Sequence, residues 1–114
     1  MDPYEELANA IIVQAADDFR SARRFLREHP RTMELVDAVE TIREERRKKR
    51  EERRRRKLPP ERDTKSCEEM LLDKIIDNEV LLFDARKFFR SAWFSKLTAL
   101  DGELLLEKLE KEAE

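Results

Sequence analysis

Three carboxylates at helical spacing are the residues whose types and positions could support catalysis. Glu69, Asp73 and Asp77 follow one another at intervals of four, which places them on one side of a helix. Acidic groups on facing helices can hold Mg²⁺ for phosphate chemistry, and the adjacent Asp17 and Asp18 could supply a second group. These carboxylates lie off the apolar stripe, however, so we expect a solvated or salt-bridged face. A Mg²⁺-dependent phosphate enzyme is therefore the third of three functional hypotheses.

The other reactive residue types occur once each. His29 is the only histidine and Cys67 is the only cysteine, which excludes a two-histidine metal site and an intramolecular disulfide. The only glycine is Gly102, so the chain has no Gly-rich loop for a phosphate. We therefore predict a protein that is not an enzyme and has no catalytic residue, metal site or cofactor.

A basic run, Arg43–Lys57, is the strongest chemical signal, with eleven basic and four acidic residues. It carries a net charge of +7, whereas residues 1–42 sum to −4 and residues 58–114 sum to −5. At 100° per residue, seven basic residues fall within about one third of the helix circumference, with no acid among them. We call these seven residues the basic ridge: Arg43, Arg46, Arg47, Arg50, Arg53, Arg54 and Lys57.

Three interpretations of the basic ridge remain open. In the first, the chain doubles back after Pro59 and Pro60 and brings acidic residues beside the ridge, which then pairs internally. In the second the ridge binds the phosphates of DNA or RNA without base specificity, and in the third it docks on an acidic protein surface. The acidic residues that internal pairing would use are Glu61, Asp63, Glu68, Glu69 and Asp73.

Two further positions have both a structural and a functional interpretation. Asn78 lies inside an apolar stripe, where it is either satisfied by a nearby backbone group or fixes the register of a dimer seam. Trp93 and Phe94 belong to an aromatic cluster that we expect to pack in the core. Either ring would be a candidate aromatic contact for a partner protein if it were exposed.

Apolar spacing and capping signals predict an all-α protein. We expect a single domain over residues 1–114, a small bundle of four to five helices in which one long, highly charged helix extends beyond the core. Expected caps are Asp2, Thr32 and Ser91, with Ser66 and Glu69 as a capping box. The predicted elements are helix one at 3–29, helix two at 33–57, a linker at 58–65, helix three at 67–90, a short helix at 92–99 and helix four at 102–113.

Two segments resemble small uncharacterised helical proteins encoded by phages and prophages of Clostridia-like gut bacteria. They are LANAIIVQAADDFRSARRFLREHP (residues 7–30) and FFRSAWFSKLTALDGELLLEKL (residues 88–109), which span about half the chain. Residues 43–60 depart from that group in being longer and more basic. The resemblance implies a mobile-element gene and a bacterial host cytoplasm, and no site residues follow from it.

These observations lead to a ranked functional hypothesis. We expect an interaction protein that inhibits or adapts a host nucleic-acid machine through the basic ridge, for example as an anti-CRISPR-type inhibitor. The second hypothesis is direct binding of DNA or RNA by the same helix. The expected partner is a host protein or nucleoprotein complex, and the chain would be a monomer or a homodimer. We expect no membrane association, because the N-terminus has no signal sequence and no apolar run is long enough for a span.

Overall fold

The computed structural model describes residues 2–62 and 64–112, and this part of the chain contains five helices and no strand. The all-α class and the expected number of helices are confirmed. The first four helices end one or two residues before their predicted ends, and residue 113 of the predicted last helix lies outside the described residues. The five helices are α1 (Pro3–Glu28), α2 (Met33–Arg55), α3 (Cys67–Phe89), α4 (Ala92–Leu97) and α5 (Gly102–Glu112).

The predicted N-caps account for where the helices begin. The side-chain oxygens of Asp2, Thr32 and Ser91 accept hydrogen bonds of 2.8, 3.1 and 3.1 Å from the backbone N–H three residues further on. Each bond satisfies one of the N–H groups that have no partner within the first turn of a helix. Local sequence signals are therefore sufficient to start α1, α2 and α4.

The chain divides into two compact units. Unit 1 contains Met1–His29 and Ile76–Glu114, and unit 2 contains Pro30–Ile75, so that α3 begins in unit 2 and ends in unit 1. The single domain, the packing of all helices into one bundle and the extension of the charged helix beyond a core stay predictions. No helix of the described residues has the length and apolar character that crossing a membrane requires.

Unit 1 has a core built from α1, α3, α4 and α5. Its largest fully buried side chains are Phe19, Phe89, Phe94 and Leu106, each at most 2% exposed. Gly102 begins α5 against this core, where an added Cβ would lie only 1.8 Å from the backbone oxygen of Phe89. The glycine is therefore required by the close approach of α5 to the end of α3.

Unit 2 buries a smaller apolar set. Val39 on α2 and Leu72 and Ile75 on α3 are its buried hydrophobic residues, and the apolar face of α2 ends at Ile42, which is half-buried. One charged residue, Glu69, is also buried, with only 3% of its surface exposed. A buried carboxylate requires compensating hydrogen bonds, and Glu69 therefore marks the centre of the polar contacts in this unit.

Candidate functional site

The C-terminal end of α2 reverses the chain through a Schellman motif. Lys57 adopts a left-handed backbone conformation with φ of 56°, in the position that glycine usually occupies. Its N–H donates to the Arg54 oxygen at 3.1 Å, and the N–H of Leu58 donates to the Arg53 oxygen at 2.9 Å. These two bonds satisfy carbonyl groups of the last turn and end α2 before the two prolines.

The segment that follows the reversal is held against α2 by Arg53. The Nε and Nη2 atoms of Arg53 donate to the Pro59 oxygen at 2.9 and 2.7 Å, and its Nη1 donates to Glu61 at 3.1 Å. A guanidinium that satisfies a backbone oxygen and a carboxylate together fixes the direction of the returning chain. Arg53 is therefore a structural member of the basic ridge.

A second arginine of the ridge is held by the buried Glu69. Arg46 donates through Nη1 at 2.9 Å and Nη2 at 2.6 Å to the two oxygens of Glu69, and through Nη2 to the Thr64 oxygen at 3.2 Å. The Nε of Arg43 lies 3.7 Å from the same carboxylate. This fork-to-fork geometry joins the middle of α2 to the first turn of α3.

Glu69 also forms the predicted capping box with Ser66. The Ser66 N–H donates to Glu69 Oε1 at 3.2 Å, and the Glu69 N–H donates to Ser66 Oγ at 3.2 Å. The hydrogen bonds from Arg46, and after them the bond from the Ser66 backbone, lower the pKa of Glu69 from 4.5 to about 2. The carboxylate is therefore ionised at neutral pH, where it pairs with Arg46.

Internal pairing thus accounts for only part of the basic ridge. Arg43, Arg46 and Arg53 meet acids of the returning chain, and Arg47 donates to Glu44 of its own helix at 2.6 Å. Asp73 forms its ion pair with Lys65 at 2.5 Å. Asp63, which was also expected beside the ridge, lies outside the described residues.

Three further basic side chains of the run 43–57 face a groove of about 620 Å³ between the second half of α2 and the returning chain. Lys49, Arg54 and Lys57 line it, are exposed, and have no ion pair with any residue that the structure describes. Leu58 and Pro60 give the groove an apolar part. The complete lining is Arg46, Arg47, Lys49, Arg50, Glu51, Arg53, Arg54, Lys57, Leu58, Pro60 and Glu61.

The carboxylates of α3 are not arranged as a metal site. Both oxygens of Glu69 accept from Arg46, and Asp73 is paired with Lys65. Within residues 2–62 and 64–112, no three His, Cys, Asp or Glu side chains are grouped so that they could hold a metal ion. Of the two expected surroundings, a solvated or a salt-bridged face, Glu69 has the second, because its arginine partner and the capping box bury this side chain.

The two candidate aromatic contacts have different surroundings. Trp93 is 53% exposed, and its ring forms a T-shaped pair with that of Phe88 at a centroid distance of 5.4 Å. Phe94 is 1% exposed and packs against Phe89 at 5.6 Å. Phe94 therefore packs in the core, as expected for the aromatic cluster, because α4 turns this side chain inward beside α3, and it is not a candidate contact. The exposed Trp93 departs from that expectation and stays a candidate contact. Asn78 is half-buried and has an interaction partner.

The sequence predicted the residues of the ridge but not the groove. It also did not predict which basic side chains pair with acids of the chain and which have no such ion pair. The groove needs the returning segment, whose path depends on the bonds from Arg53 to Pro59 and Glu61. The one sequence signal for that path is the pair of prolines directly after the basic run. Comparison of the chain with protein-family models, curated proteins and solved structures found no match.

Proposed function

We propose that the chain is a non-enzymatic interaction protein that binds an anionic surface of a host nucleic-acid machine and thereby inhibits or adapts it. An anti-CRISPR-type inhibitor that acts in the cytoplasm of a bacterial host is one form of this function. The observation that carries the proposal is the groove of unit 2, where Lys49, Arg54 and Lys57 remain available while neighbouring arginines are held by internal acids. The resemblance of two segments to phage-encoded proteins supports the host context.

The division of the ridge favours binding over a purely structural role. An arginine that is already held by a carboxylate and a backbone oxygen, as Arg53 is, fixes the wall of the groove. Basic groups without such partners are hydrated in the free protein, and an anionic partner gains their full attraction during association. A wall that is fixed in advance also lowers the ordering cost of binding.

Direct binding of DNA or RNA is the second candidate function, and the position of the available groups favours it. Arg54 lies in the last turn of α2 and Lys57 follows the end of that helix, and both side chains line the same groove. Side chains arranged in this way can contact consecutive phosphates without reading a base. No aromatic residue lines the groove, so stacking of bases on rings is not part of the candidate mode.

The test compares two variants that have the same net charge. The groove variant carries Arg54→Glu and Lys57→Glu, and the control carries Lys48→Glu and Arg55→Glu, two exposed residues of α2 that do not line the groove. Each protein is added to a panel of purified CRISPR effector–guide RNA complexes, and cleavage of target DNA is measured. Anisotropy titrations of labelled duplex DNA and single-stranded RNA are made at several salt concentrations.

We expect the wild type and the control to inhibit at least one complex and the groove variant to lose that inhibition. Binding of free DNA or RNA, with a salt dependence that the groove variant reduces, would instead support the second candidate. Equal behaviour of the groove variant and the control in all assays would contradict both candidates, because the position of the charges would then not matter.

A further inference from the structure

The third helix exposes an apolar row on the side opposite the face that it buries in unit 1. Ala85 and Phe89 of α3 are buried in unit 1, whereas Ile76, Val80 and Phe83 are 40, 51 and 61% exposed. These three residues are spaced by four and three, so they form one continuous row about 10 Å long. An amphipathic surface helix normally carries polar residues there, and exposed apolar rows of this kind mark interaction surfaces.

Two acidic residues border this row. Asp77 and Asp84 lie within about 100° of Ile76 around the helix and are separated by seven residues, or two turns. Both are exposed, and neither forms an ion pair among residues 2–62 and 64–112. Leu81, 40% exposed, lies beyond them, so the acids stand between apolar residues on both sides. We call the surface formed by Ile76, Asp77, Val80, Leu81, Phe83 and Asp84 the outer face of α3.

We infer that the outer face of α3 docks a basic amphipathic helix of a partner protein. Lys or Arg side chains seven residues apart on that helix would meet Asp77 and Asp84, and its apolar residues would cover Val80 and Phe83. Lys87 Nζ lies 5.3 Å from the centroid of the Phe83 ring, so a cation of this chain already covers part of that ring, and the partner's basic groups would meet the acids and not the ring. The long methylene chains of basic residues also cover apolar surface well.

Charge complementarity favours a basic helix over a second copy of this chain, a nucleic acid or an anionic lipid. A second copy of α3 packed antiparallel on the same face would bring Asp77 of one copy near Asp84 of the other, and like charges in such a position are destabilising. The phosphates of nucleic acids and of anionic lipids would be repelled by the same two carboxylates. The inference does not depend on the groove, because the outer face lies within unit 1 and uses none of the basic ridge.

The experiment uses a synthetic helical peptide of about three heptads that has Lys at two positions seven residues apart and Leu beside them. A fluorescein-labelled peptide is titrated with the full-length protein, with the reversed variant Asp77→Lys plus Asp84→Lys, and with the control variant Glu6→Lys plus Glu28→Lys. The control changes the net charge equally through exposed acids of α1. A second peptide has Glu in place of both Lys residues.

The wild type and the control variant should bind the Lys peptide, and the reversed variant should bind it at least about tenfold more weakly. The Glu peptide should show the opposite preference and bind the reversed variant better than the wild type. Failure of the wild type to bind, or equal affinity of the reversed variant for both peptides, would overturn the inference. So would sedimentation showing a dimer of the free protein that Phe83→Ser dissociates, because a second copy would then cover the face.

Discussion

Lys57 allows the structure at the end of α2 to be tested through stability. Its left-handed backbone, with φ of 56°, costs a side-chain-bearing residue about 1–2 kcal/mol, and glycine avoids this cost. Glycine also gives the unfolded chain more conformational freedom, which offsets about 0.4–1 kcal/mol of the gain. Lys57→Gly should therefore stabilise the protein by about 0.8 kcal/mol, which raises the melting temperature of a chain of this length by about 3 °C.

The matched control is Lys57→Ala, which removes the same ammonium group and keeps the left-handed strain. Melting curves followed by far-UV circular dichroism should place the glycine variant above both the wild type and the alanine variant. Both variants should lose the same fraction of any anion affinity, because both remove the side-chain charge that faces the groove. A glycine variant that melts at or below the alanine variant would refute the conformation assigned to this residue and the Schellman motif with it.

Three further predictions concern the packing and the buried carboxylate. Because folding lowers the pKa of Glu69 to about 2, its contribution to stability is complete above pH 4.5 and is lost as the pH falls from 4.5 towards 2. Urea midpoints should therefore fall less over this range for Glu69→Gln than for the wild type, and parallel curves would argue against the pairing. Gly102→Ala places a Cβ 1.8 Å from the Phe89 oxygen, so thermal unfolding should show that the free energy of unfolding falls by about 1–3 kcal/mol. This loss is expected although alanine by itself favours a helix over glycine by about 1 kcal/mol. Phe94→Ala should lower the free energy of unfolding in denaturant by about 3–5 kcal/mol, and Trp93→Ala should lower it much less. A larger loss for Trp93→Ala would show that α4 presents the Trp93 ring to the core.

The parts of the fold that local chemistry decides could be predicted from the sequence. The caps at Asp2, Thr32 and Ser91 and the capping box at Ser66 depend on residues within one turn, and all of them form. The observed end of α2 lies two residues before the predicted end, because a lysine in the left-handed position gives no signal of the kind that glycine gives. Where the stop signal was a proline, before Pro30, the predicted end was one residue from the observed end.

The candidate site depended on contacts between distant parts of the chain, and these could not be predicted. The basic ridge followed from helical periodicity, but the choice of Arg46 as the partner of Glu69 joins residues 23 positions apart. That choice depends on the path of the linker, and so does the availability of Arg54 and Lys57. Trp93 is exposed and its neighbour Phe94 is buried, and this difference depends on how α4 is rotated against its core. Hydrophobicity alone does not distinguish the two residues.

The position of Glu69 couples the effects of mutations in two distant parts of the chain. The same carboxylate completes the first turn of α3 through Ser66 and holds the guanidinium of Arg46 on α2. A substitution at either partner therefore changes the hydrogen bonds available to the other, so the effects of Ser66→Ala and Arg46→Lys should not add in a double-mutant cycle. Substitutions at the start of α3 are consequently constrained by the basic run some twenty residues earlier. During evolution, the residues of the two segments should therefore change together.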